Sequence, residues 1–188
     1  VIVGLATERF AYRPLRGASP LAVLITAIGV SYLLQSVSQI IFGTAPNYVD
    51  LNKFGMLQIG DLKIEWATII TLLVAAAIMV ALTFFIDRTK TGKAMLAVSE
   101  DRGAAQLVGI SVNKIIAITF AIGSALAGVA SVFMIMKNPF VVNPTMGSMP
   151  GIKAFVAAVI GGIGSIPGAM IGGILLGIIE TVCNAIPA

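Results

Sequence analysis

The chain has 188 residues, of which 58% are hydrophobic and only 11% charged, and carries a formal net charge of +4. A soluble domain has about a quarter of its residues charged, so this chain cannot cover a water-facing surface and reads as an integral membrane protein. There is no histidine and one cysteine, which excludes an internal disulfide and a cysteine–histidine metal site; Cys183, in an apolar stretch, reads as a small packing residue.

The opening VIVGLAT is apolar but too short for a span or a signal peptide. It reads as the tail of a helix of a longer membrane protein, and NAIPA at the other end carries no terminal signal. A helix needs about 20 apolar residues to cross a hydrocarbon core of about 30 Å. The uncharged stretches Leu21–Phe42, Ala67–Ile86 and Ile115–Met136 each meet that length. Ala154–Ile179 is also uncharged, but GGIGSIPG (Gly161–Gly168) interrupts it. Its first half, Ala154–Ile163, is too short to span alone, so the segment either dips in and returns or crosses as a bent helix. Pro167 removes a backbone donor there, and the freed groups have to be buried in protein or line a cavity. The predicted fold is all-α: a polytopic transmembrane helix bundle with one broken or re-entrant helical segment, forming a single domain over residues 1–188.

Orientation follows from lysine and arginine. Arg9, Arg13 and Arg16 precede the first span, and Arg88, Lys90, Lys93, Arg102 and Lys114 lie in a central insert, residues 87–114. Only Lys53, Lys63, Lys137 and Lys153 fall on the other side, where four acids (Asp50, Asp61, Glu65 and Glu180) balance them. The excess charge is therefore cytoplasmic, and the basic composition needs no nucleic-acid partner. Cysteines placed at Lys90 or Arg102 in a Cys183→Ala background are expected to label from the cytoplasm, and those at Lys53 or Lys137 from outside. Outward labelling at position 102 would overturn this topology.

The insert, TGKAMLAVSEDRGAAQLVGISVNK, is charged yet contains apolar and small residues that a free loop does not need. Acids at Glu100 and Asp101 suit the positive end of a helix dipole and Gly109 is a natural stop, so Glu100–Val108 is expected as a short helix. Gly103, Ala104 and Ala105 give it a surface that another protein's backbone can approach closely. A solvated loop is the other reading of such a charged run; a length near 30 residues favours a function.

Uncharged polar residues also recur in the first span. Ser31, Gln35, Ser38 and Gln39 fall within about 100° of one another at helical periodicity. They either hydrogen-bond a neighbouring helix or line a translocation path. Gly123 and Gly128, with Ser124, Ala127 and Ser131, and the interlaced GxxxG patterns at Gly168, Gly172, Gly173 and Gly177 read as close helix packing. The outer segments GTAPNY and NPFVVNPTMGSMPG suit exposed turns or reception of a binding protein.

Three blocks carry a resemblance: ERFAYRPLR (Glu8–Arg16), EDRGAAQLVGISVNKIIAITFAIGSALAGVA (Glu100–Ala130) and GIKAFVAAVIGGIGSIPGAMIGGILLGIIE (Gly151–Glu180). In that order they resemble the permease subunit of branched-chain amino-acid ABC importers. The resemblance implies a multi-pass protein of the cell inner membrane. It would pair with a second permease subunit, two cytoplasmic ATPase subunits and a periplasmic or lipid-anchored binding protein, amid membrane lipid. The insert then resembles the family's coupling loop, with Glu100, Asp101, Ala104, Ala105 and Gly109 as the ATPase-coupling residues, although no contiguous Glu-Ala-Ala is present.

No ATPase site is expected in this chain. The closest approach to a phosphate-binding loop, DRTKTGKA, begins with Asp87 where glycine is required and ends with Ala94 where a magnesium ligand is required. The chain is thus expected to be a transport subunit and not an enzyme, with no cofactor of its own; ATP and magnesium belong to the partner ATPases. Alternatives are an ABC permease for a related solute (other amino acids, amides or urea) or a stand-alone channel or carrier. A proton-coupled carrier usually has ionisable groups within its spans, and the three full spans have none.

Overall fold

The computed structural model describes residues 1–15, 17–45, 56–59, 62–137, 142–162 and 164–185. Arg16, Lys53, the second half of GTAPNY (Pro46–Tyr48) and Pro139 lie outside the described residues. The elements in chain order are α1 (Ile2–Thr7), a π-helical turn (Glu8–Tyr12), α2 (Pro20–Phe42), β1 (Met56–Ile59), β2 (Leu62–Glu65), α3 (Trp66–Arg88), α4 (Lys90–Glu100), α5 (Arg102–Leu107), α6 (Val112–Lys137), α7 (Ser148–Gly161) and α8 (Ile166–Ala185).

Among the described residues, α2, α3, α6 and α8 are long and apolar enough to cross a membrane. The protein is a polytopic helical membrane protein. Each expected span is present, extended by one to three residues at its ends. Ser19 caps α2, its hydroxyl accepting from the Ala22 N–H, and Pro20 sits in the first turn, where its missing donor costs nothing. Gly43, at a φ of +82°, ends the helix in a conformation that other residues resist. The segment between α2 and α3 contributes a feature that the apolar pattern did not indicate, an antiparallel hairpin in register Met56↔Glu65 to Ile59↔Leu62.

The bundle is built around α6. Helix α1 packs along it with Gly4 against Ser124, where an added Cβ would come within 2.5 Å of the serine side chain. The rings of Tyr12 and Phe120 continue that contact, 5.0 Å apart. Helices α3 and α8 complete the group, α3 touching both α6 and α8. Helix α2 stands apart, joined mainly to the π-helical turn.

The interrupted fourth segment folds back on itself as an antiparallel pair. Gly161 meets Gly168 backbone to backbone, Gly172 rests on Ala157, and farther out Lys153 pairs with Glu180. Ser148 and Ala185 therefore lie at the same end, which decides between the two readings in favour of re-entry. The break is made by glycine. Gly162 and Gly164 have φ of +91° and +100°. The donor that Pro167 lacks leaves no freed group in need of cover. The proline occupies the first turn of α8, where its missing N–H needs no intrahelical acceptor, and Ser165 accepts from the Gly168 N–H.

Candidate functional site

The insert is two helices joined at a corner, both expected features and unexpected ones among them. The chain leaves the membrane at the end of α3 and turns at Thr89, whose hydroxyl accepts from the Gly92 N–H at 3.0 Å and donates to the Phe85 carbonyl at 2.6 Å. Gly92 lies directly on the backbone of Phe85 and Ile86, with no room for a side chain. Helix α4, which runs to Glu100, was not apparent from the sequence. Glu100 closes this helix and does not open the next one. The charges at Lys90, Lys93 and Glu100 masked a buried side formed by Gly92 and Val98.

Asp101 makes the second corner. Its backbone is extended and its carboxylate accepts from the Gly103 N–H at 2.7 Å and the Ala104 N–H at 3.1 Å, so it is the N-cap of α5. Gly109 ends α5 at a φ of +86°. Its N–H donates to the Gln106 carbonyl and the next N–H, of Ile110, donates to the Ala105 carbonyl. This pair of bonds is a Schellman arrangement, which needs a left-handed residue where Gly109 stands.

These corners fold the insert over its own small core. Val98, Ala105, Val112 and Ile115 are buried together, with Met95 and Ile110 packed against them. Ala105, only 4% exposed, therefore serves the insert's interior; its role in the expected partner surface is corrected on that ground. Ala104, Glu100 and Asp101 remain exposed. Sequence reasoning missed the most conspicuous surface residues, Leu107 and Val108, which are 91% and 82% exposed at the end of α5. Leu107 lies about 200° around the helix from Ala105, so it faces outward once packing has turned Ala105 inward, and Val108 follows at the C-cap; the sequence alone does not set which of the two faces in.

The residues singled out in the spans fare differently. On α2, the Gln35 amide donates to the Ser31 hydroxyl at 3.2 Å, and Gln35, Ser38 and Gln39 are part-exposed on a helix with few neighbours among the described residues. Gly168 and Gly172 make close backbone contacts with α7, whereas a Cβ on Gly173 would reach only ordinary contact with Ala157. Among the described residues, a Cβ on Gly123, Gly128 or Gly177 would meet no other element within 4 Å. Cys183 is exposed on α8. The α7–α8 tip adds residues that the sequence did not single out for a path. Helix α7 has 14 residues, about 21 Å at 1.5 Å per residue, which is shorter than the hydrocarbon core of about 30 Å. Gly162, Gly164 and Ser165 are exposed there. Irregular backbone at that depth has to be covered by protein or face water.

A family profile described as branched-chain amino acid transport system / permease component matches residues 1–188. The chain belongs to this permease family. It is 46% identical to the high-affinity branched-chain amino acid transport system permease protein BraD of Pseudomonas aeruginosa, over 94% of this chain and 59% of that protein. It is 43% identical to LivH of Escherichia coli, a protein of the same description, over 97% of this chain and 60% of LivH. A probable branched-chain amino acid transport permease protein LivH of Methanocaldococcus jannaschii is 30% identical over 96% of this chain and 58% of that protein. The chain thus spans about 60% of the length of these relatives. No solved structure matches it.

Proposed function

We propose that this permease-family chain is the membrane-spanning part of an ABC importer of the inner membrane, passing branched-chain amino acids handed over by a binding protein. Separate ATPases, which hold the ATP and magnesium, drive it, and a second permease subunit completes the path. The single observation that carries the docking part is the α5 surface. Leu107 and Val108 stand almost fully exposed beside Ala104, on a helix braced by its own core. Apolar side chains held out by a rigid element are the usual form of a protein-docking surface. The family match and the similarity to proteins named for branched-chain amino-acid transport support the substrate class. At the other end, the α7–α8 tip and the polar stripe of α2 are the surfaces that we assign to the permease partner and the path. Both carry polar groups that need a covering protein or water.

The test is uptake by the full-length permease expressed with its neighbouring transport genes in a host lacking its own branched-chain amino-acid importers. Radiolabelled leucine is expected to enter, with unlabelled isoleucine and valine competing and urea or an amide not competing. Uptake should cease when the ATPase genes are left out. Uptake that continues without them would favour a stand-alone carrier, and competition by urea alone would move the substrate to a related solute.

A further inference from the structure

We propose a binding site for the headgroup of an anionic phospholipid between α1, the π-helical turn and the start of α6. The two segments are far apart in sequence, yet together they enclose an open concavity of about 330 Å³. Arg9 and Arg13, one helical turn apart, line it from one segment and Lys114 from α6, so three cationic residues border one concavity whose wall is otherwise largely apolar. Among the described residues, none of these three cations is hydrogen-bonded or ion-paired to a protein acceptor. One carboxylate, Glu8, and the amide of Asn113 also line the concavity, and both have partners in the protein. The site is therefore left with more positive than negative charge.

Its depth argues for lipid over a soluble anion. Lys114 lies near one end of a span-length helix, where headgroups reside, because the apolar run of α6 begins at that point, and the basic-residue asymmetry assigns that end to the cytoplasm. Leu5 and Ala117, about one turn deeper on their respective helices, form the apolar part of the lining, along which an acyl chain could descend. Arginine and lysine converging on a concavity between helices, on the cytoplasmic side, match the chemistry of a phosphodiester headgroup. Anionic lipid is also concentrated in that leaflet. The proposal concerns lipid binding by the membrane domain and does not depend on which solute is carried.

The experiment uses the assembled full-length complex in nanodiscs of phosphatidylcholine with a minority of phosphatidylglycerol, released and weighed by native mass spectrometry. Wild type is expected to retain phosphatidylglycerol in preference to phosphatidylcholine, undiminished by excess inorganic phosphate. Neutralising one cation (Arg9→Gln, Arg13→Gln or Lys114→Gln) should weaken retention about five-fold, and neutralising all three by on the order of a hundred-fold. The charge-preserving set Arg9→Lys, Arg13→Lys and Lys114→Arg should largely keep the lipid. Lys93→Gln, outside the concavity, should leave it unchanged. Retention by the neutralised variants equal to wild type would overturn the proposal, as would no preference for the anionic lipid. Displacement by inorganic phosphate would also overturn it and identify a soluble-anion site. If the triple variant does not assemble, the three single variants and the charge-preserving set still decide the question.

Discussion

Leu107→Asp is expected to leave the protein inserted and folded while abolishing ATPase co-purification and solute uptake. At 91% exposure Leu107 contributes almost nothing to the chain's own packing, so its loss there is nearly free. Against a docked partner it is different. Losing a buried leucine forfeits about 2 kcal/mol. Placing a carboxylate without a partner in the same contact costs a few kcal/mol more. Together these weaken docking by more than about a hundred-fold, since each 1.4 kcal/mol is a factor of ten. The contrast is Ala105→Glu. That side chain points into the insert's core beside Val98, Val112 and Ile115, so the new carboxylate disrupts the insert itself. Both variants lose the ATPase, but only Ala105→Glu should make residues 89–111 sensitive to protease in inside-out vesicles. Normal co-purification and uptake by Leu107→Asp would show that α5 is not the docking surface.

Gly172→Leu is expected to reduce the yield of assembled complex severely, and Gly173→Leu far less. A Cβ at Gly172 would run into the Ala157 carbonyl and lie 2.9 Å from the Gly161 nitrogen. Both obstacles are backbone, so α7 and α8 would have to separate. Overpacking a well-fitted contact typically costs about 1–3 kcal/mol, and a contact that only a backbone shift relieves lies at or above the upper end. At Gly173 the nearest atom is the Ala157 Cβ at 3.9 Å, an ordinary contact. The two substitutions add the same side chain one residue apart, so insertion hydrophobicity is matched between them. Yield is measured by fluorescence size-exclusion chromatography at matched membrane levels. Wild-type yield from Gly172→Leu would mean that the hairpin does not form as described. Equal damage from Gly173→Leu would mean that the other face of α8 meets a second protein.

Hydrophobicity is a property of local composition, and what depends on it was legible in the chain itself. The uncharged runs at Leu21–Phe42, Ala67–Ile86 and Ile115–Met136 lie within α2, α3 and α6, because a helix is the structure in which a single apolar segment satisfies its own backbone polar groups inside a bilayer. The stop at Gly109 was legible for a related reason: a left-handed cap is a single-residue requirement. Which way a residue faces is not local. Ala105 and Leu107 sit two positions apart in one stretch, and only the packing of α5 on α4 and α6 sends the first inward and leaves the second in solvent. Helix α4 escaped notice because its buried side needs Val112 and Ile115, residues of another helix, to cover it. The GxxxG runs announced close approach without naming the partner. The fold supplied α7 for Gly168 and Gly172, whereas among the described residues no other element comes close to where a Cβ on Gly123, Gly128 or Gly177 would stand. Likewise GGIGSIPG allowed either a bend or a return. The antiparallel contacts from Gly161 and Gly168 out to Lys153 and Glu180 select the return, because they form only when the two helices run side by side.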